Sequence, residues 1–166
     1  MVLATSAVAA QWFLPFVIPI AIWAAWSDMK FMKIPNTAVL SLFLVFLVVG
    51  LIALPIAEYP WRLLHLVVVL FIGFLLSAFG AIGAGDAKYA AAIAPFVAYG
   101  DVFRMGYFLA AIVLAAFVTH RLFQHSKAFR KLTPEWKSWE NKDFPMGFAL
   151  SGTLVFYLIL GATYGA

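Results

Sequence analysis

Between Leu3 and Tyr164 the chain is a succession of apolar runs, each broken by only a few polar residues. A run of about 20 apolar residues is the length of helix that crosses a bilayer. In lipid the backbone must satisfy its own polar groups. Span one covers Leu3 to about Trp26 and stops at Ser27-Asp28-Met29-Lys30-Phe31-Met32-Lys33. Ile34-Pro35-Asn36 follows, with Asn36 placed to cap a second span from Thr37 to about Ile56. Ala57-Glu58-Tyr59-Pro60 turns the chain into span three, Trp61 to about Ile82, which closes in Gly83-Ala84-Gly85-Asp86. Ala87–Tyr99 is a shorter apolar stretch that crosses only if tilted or set in a thinned site. Span five, Val102 to Phe123, and span six, Pro145 to about Tyr164, flank the one long polar segment, Gln124–Phe144. The pattern predicts an all-α polytopic membrane helix bundle of about six transmembrane helices.

Composition agrees. Hydrophobic residues make up 66% and charged residues 11%, against about 45–50% and about 25% in soluble domains. Such a chain cannot cover a water-facing surface. Six spans take roughly 120 positions, which excludes a separate soluble catalytic domain. Residues 1–166 are expected to form a single integral-membrane domain, and any chemistry falls to side chains at or inside the bilayer. The chain has no cysteine, so disulfides, thiolate zinc sites, iron–sulfur clusters and cysteine nucleophiles are ruled out. Met1–Ala10 carries no Lys or Arg and lacks the basic start of a secretory signal, so the first apolar segment is expected to be retained.

Orientation follows from the bases. With Met1 outside, the segments after spans one, three and five hold nine of the eleven Lys and Arg: Lys30, Lys33, Lys88, Arg121, Lys127, Arg130, Lys131, Lys137 and Lys142. The opposite side holds only Arg62 and Arg104. Cytoplasmic segments are the basic ones, so an N-out, C-out topology is expected, with 124–144 a cytoplasmic basic loop. The net charge of +4 then reflects orientation and contact with membrane lipid, not nucleic-acid binding. Within that loop Pro134 argues against one continuous interfacial helix, and a solvated loop is the simpler expectation.

The same topology puts Asp28 and Asp86 on one face. Singly, each has an ordinary explanation: Asp28 as an interfacial residue balanced by Lys30 and Lys33, Asp86 as a helix cap after glycines that end span three in left-handed geometry. As a pair they have what water activation needs. One ionised carboxylate takes a proton from water while its protonated partner donates to the substrate carbonyl, and like charges that close share a proton. Gly83 and Gly85 leave room for an extended peptide to approach Asp86. A different class of function also uses paired intramembrane acids: a non-enzymatic transporter or assembly subunit with a proton or cation relay. That reading leaves the two glycines and Ile34-Pro35-Asn36 without a role.

Gly83-Ala84-Gly85-Asp86 resembles the GxGD motif of intramembrane aspartic proteases, and with Ala87-Lys88 it is similar to the G-D-x-K form of the prepilin peptidase family. Asp28 with the following bases and Ile34-Pro35-Asn36 resembles that family's other acidic motif. Pro145-Met146-Gly147 is similar to its proline–aromatic–glycine element, with Met146 replacing the aromatic and Phe148 standing where many members have proline. The resemblance runs through the whole chain and is closest to the short, peptidase-only members that serve tight-adherence (Flp) pili. It implies an aspartic endopeptidase of the bacterial inner membrane that cleaves the short basic leader of prepilins and pseudopilins at the cytoplasmic face. Asp28 and Asp86 would be catalytic; Gly83, Gly85, Lys88, Ile34, Pro35, Asn36, Pro145 and Gly147 would support substrate or motif geometry. The cysteine-bearing insertion of the methylating relatives is missing, so no methyl donor, zinc or other cofactor is expected. Lys88 suits either substrate contact or snorkelling to headgroups. His65 suits packing, and the five-residue spacing of His120 and His125 does not suit a metal.

Overall fold

The computed structural model describes residues 2–166, and its regular structure is helical apart from one isolated bridge between Leu3 and Gly165. Its helices are α1 (Ala7–Phe31), α2 (Asn36–Ala53), α3 (Tyr59–Ala78), α4 (Ala84–Ile93), α5 (Val102–His125), α6 (Lys127–Leu132) and α7 (Met146–Tyr164). Short 3-10 turns lie at Ala94–Phe96, Tyr99–Asp101 and Lys137–Trp139. Among the described residues, five helices are long and apolar enough to cross a membrane: α1, α2, α3, α5 with the turn before it, and α7. Their outward faces carry large apolar residues such as Phe71, Phe74, Leu114 and Leu122. Exposed apolar area on that scale marks a membrane surface.

The expectation of about six spans becomes five among the described residues: the short stretch after span three folds as α4, ten residues long, and is followed by the two 3-10 turns of residues 94–101, too short a run of helix to qualify. Ending a helix inside a bundle leaves backbone groups that lipid cannot satisfy. Here the chain satisfies them itself. Buried Arg62 donates to the Phe96 carbonyl at 3.3 Å, and the Ala98 N–H donates to the Tyr157 hydroxyl at 3.1 Å. That hydroxyl donates in turn to Asp101 Oδ2 at 2.9 Å. Asp101, fully buried, also accepts the Ala4 and Thr5 N–H groups at 3.0 Å each and pairs with Arg104. It thereby ties the N-terminal segment to the α4–α5 connection.

The core lies in the same half of the bundle, where Phe13, Phe46, Phe96 and Tyr59 pack ring on ring. α1 runs along α7 and α2, and α4 packs among α2, α3 and α7. Gly73 lets α3 approach α4 so closely that a Cβ there would lie 3.0 Å from the Ala87 methyl. Small residues at such crossings are how membrane helices gain contact. Leu3 pairs with Gly165, so the first and last described segments meet at one end of the bundle. The connections at 32–35, 79–83 and 126–145 gather at the other.

Several boundaries differ from the sequence expectation. α1 continues to Phe31, which puts Asp28 within the helix and not after it. α3 ends at Ala78, and the residue in left-handed geometry is Gly80 (φ 72°), not Gly83 or Gly85. Gly83 is extended and precedes α4, while Gly85 is helical. Asn36 does not cap α2: it is the first helical residue, and Pro35 holds the cap position. The fixed φ of proline already suits a helix start. Segment 124–144 is not simply solvated. α5 extends to His125, α6 ends before Pro134, and Ser138 and Trp139 are buried.

Candidate active site

At the end away from the termini, a cavity of about 400 Å³ opens between the last turn of α1, the start of α4 and the segment leading into α7. Asp28 and Asp86 both line it. A hollow lined by Gln11, Trp12, Pro15 and Phe16 lies on the outer face of α1 and contains no titratable group.

Asp28 is 5% exposed, and its Oδ2 accepts the N–H of Gly147 at 2.7 Å. Gly147 is the second residue of α7. Its N–H is one of the four that a helix leaves unpaired at its start, at the end where the macrodipole favours negative charge. The approach is so close that a Cβ on residue 147 would lie 2.9 Å from Asp28 Oδ2 and 2.8 Å from Ile34 Cδ1. Pro145, buried in the cap position, sets the direction in which α7 starts.

Asp86 is the third residue of α4. Its carboxyl folds back over the helix start, so that a Cβ on Gly83 would lie 2.8 Å from Oδ2. A third-position acid reaching back to the cap residue follows the logic of a capping box. The two acids therefore share a design. Each carboxylate sits at the N-terminus of a helix against a glycine whose missing side chain makes the space. Gly85 differs: it lines the cavity, and a Cβ there would meet nothing within 4 Å.

The turn after α1 supplies another wall. Met32 has φ 55°, a left-handed conformation uncommon for a residue with a side chain. It reverses the chain so that Lys33 and Ile34 also line the cavity. The Ser27 hydroxyl holds this turn by donating to the Lys33 carbonyl at 2.9 Å. The remaining wall comes from Asn141, Asp143, Phe144 and Met146. That strap is pinned from behind: Gln124 donates to the Trp139 carbonyl at 2.6 Å, and Lys30 pairs with Glu135 at 2.9 Å.

The structure thus brings together Asp28, Asp86, Gly83, Gly85, Ile34 and Gly147. It does not bring Lys88 to the cavity; Lys88 lies exposed on α4, and Lys33 is the cation in the lining. Pro35 and Asn36 start α2 without lining the cavity. Lys33, Asn141, Asp143 and Phe144 were not singled out from sequence as site residues. The only signal for the last three was their position directly before Pro145-Met146-Gly147. His120 stacks on Trp139 at 5.0 Å, and His125 Nδ1 lies 2.7 Å from the Arg121 carbonyl oxygen. Among the described residues no group of three or more His, Cys, Asp or Glu is arranged to hold a metal ion.

Comparison with known proteins adds one finding. Residues 15–120 match the type IV leader peptidase family. That stretch holds both acids, Ile34-Pro35-Asn36 and the glycines before Asp86. Neither the curated proteins nor the solved structures return a match. A helical bundle with five candidate membrane spans, two acids on one cavity and a family match over more than half its length leads to one conclusion: the chain belongs to the type IV leader peptidase family.

Proposed function

We propose that this peptidase is an aspartic endopeptidase that removes the leader peptide of type IV and Flp-type prepilins and pseudopilins. On this reading residues 1–166 form one catalytic domain of the bacterial inner membrane. The cavity faces the cytoplasm and both chain ends face outward, as the nine-to-two partition of bases favours. Asp28 and Asp86 are its catalytic pair. The observation that carries the proposal is that two carboxylates from different helices line one cavity, one of them fixed by a backbone N–H.

The chemistry needs one proton shared by the pair. The ionised carboxylate removes a proton from water, whose oxygen bonds to the scissile carbonyl carbon. The protonated partner gives its proton to the carbonyl oxygen, producing a neutral gem-diol. Proton return to the amide nitrogen then lets the C–N bond break, leaving a carboxylic acid and an amine. Gly147 serves by orientation, since a carboxylate held by a fixed donor loses little freedom on reaching reactive geometry. Gly85 leaves an open face beside Asp86 for an extended peptide backbone.

The test is cleavage of a synthetic prepilin peptide by the purified protein, with mass spectrometry of both products. One cut at the leader junction is expected. A folded preparation that leaves prepilin peptides intact contradicts the proposal.

A further inference from the structure

The strongest charge asymmetry in the molecule lies outside the cavity. No acid occurs between Asp101 and Glu135, whereas Lys127, Arg130 and Lys131 fall within the six residues of α6. All three bases are exposed, and none takes part in an ion pair among the described residues. α6 buries none of its residues. Its apolar side is equally open: Leu132 is 77% exposed, and Phe129, three positions earlier on the same face, packs on Phe123 at 4.1 Å. Phe123 and the 68%-exposed Leu122 belong to the last turns of α5, a membrane-crossing helix. The apolar face of α6 therefore continues the lipid-facing surface of α5. Only Ser126 separates the two helices, so α6 stays at the level where that crossing ends.

We propose that α6 is an interfacial foot, docking Phe129 and Leu132 at the acyl boundary and Lys127, Arg130 and Lys131 on the headgroups of an anionic bilayer surface. Apolar burial combined with cationic attraction is the recipe for a helix lying in the interface plane. The acids of the segment all come after Pro134, where the chain turns back towards the cavity: Glu135, Glu140 and Asp143. The foot stands apart from the proposed peptidase chemistry and does not rest on it.

The absence of cysteine from the chain makes the test direct. Full-length Ala128→Cys protein is labelled with an environment-sensitive fluorophore and reconstituted in vesicles of phosphatidylcholine alone or with phosphatidylglycerol. Nitroxide-bearing lipid serves as quencher. Strong quenching and a blue shift are expected in the anionic vesicles, with reversal at about 1 M salt, where the screening length falls to about 3 Å. In the Lys127→Gln, Arg130→Gln, Lys131→Gln background the docked-to-undocked ratio should fall by roughly 100-fold for three bases. Lys127→Arg, Arg130→Lys, Lys131→Arg should retain docking, which separates charge from a sequence-specific protein contact. Equal quenching in neutral and anionic vesicles, insensitive to salt and to the glutamines, overturns the proposal. So does a label that is shielded to the same degree in detergent, where its cover would be protein.

Discussion

Replacing Gly147 by alanine adds one methyl group where the structure has no room for it. The new Cβ would lie 2.9 Å from Asp28 Oδ2 and 2.8 Å from Ile34 Cδ1, whereas ordinary contact begins at 3.4 Å. Ile34 Cδ1 is the end of a side chain and can rotate away. Asp28 cannot move without stretching its 2.7 Å bond from the Gly147 N–H. Restoring normal contact requires a displacement of about half an ångström, and misplacement by a full ångström costs about 100-fold in rate. A fall in kcat/KM of between about 10- and 100-fold is therefore expected. Overpacking costs about 1–3 kcal/mol of stability, so the folded fraction must be measured beside the activity. Adding Ile34→Ala removes both Cδ1 and Cγ1, which the new Cβ would meet at 2.8 and 2.9 Å, and leaves only the clash with Asp28. The double variant should not regain rate. Activity of Gly147→Ala within twofold of the parent, or full rescue of rate by Ile34→Ala, would refute the claim that Gly147 orients Asp28.

Because the acids act with one proton between them, activity on a prepilin peptide should follow a bell-shaped pH profile with both limbs belonging to the pair; a flat profile from acid to alkaline pH contradicts this. Proton transfer by carboxylates requires no Lewis acid, so extended dialysis against chelator should leave kcat/KM unchanged, and loss restored by added zinc would overturn it. Asp101→Asn should lower stability by roughly 1–3 kcal/mol, as a buried acceptor of four donors gives way to one with fewer lone pairs. Thermal unfolding in detergent reads this out. The rate per folded molecule should stay within twofold, because Asp101 lies at the opposite end of the bundle.

The sequence made the helical class legible because apolar runs of membrane length leave the backbone few alternatives. It also singled out Asp28, Asp86 and the glycines, since acids beside glycine at the ends of apolar runs are expensive and conspicuous. The ends of elements were less legible. Ser27 to Met29 read as the close of a span, yet helix hydrogen bonding carries α1 on to Phe31. The reasons behind the motifs were hidden as well. Gly147 is separated from Asp28 by 119 positions, and no local pattern states that its N–H reaches that carboxylate. Lys33 and Lys88 are equally basic in sequence. Only the left-handed turn at Met32 puts Lys33 in the cavity, while the helical phase of α4 leaves Lys88 outside it. Asp143 and Phe144 looked like the tail of a polar loop because the contacts that pin the strap join residues far apart in the chain.

The central claim is that Asp28 and Asp86 work as one unit, and the most direct measurement is kcat/KM on a prepilin peptide for Asp28→Asn, Asp86→Asn and the double variant. Asparagine retains an oxygen to accept the Gly147 N–H and serves near a helix start about as well as aspartate, so all three proteins should insert and fold. Neither single variant can share a proton, so each should lose essentially all activity. The double variant should be no worse than either, because residues that act together are strongly non-additive. Substantial cleavage by either single variant, or losses that multiply in the double, would contradict the account.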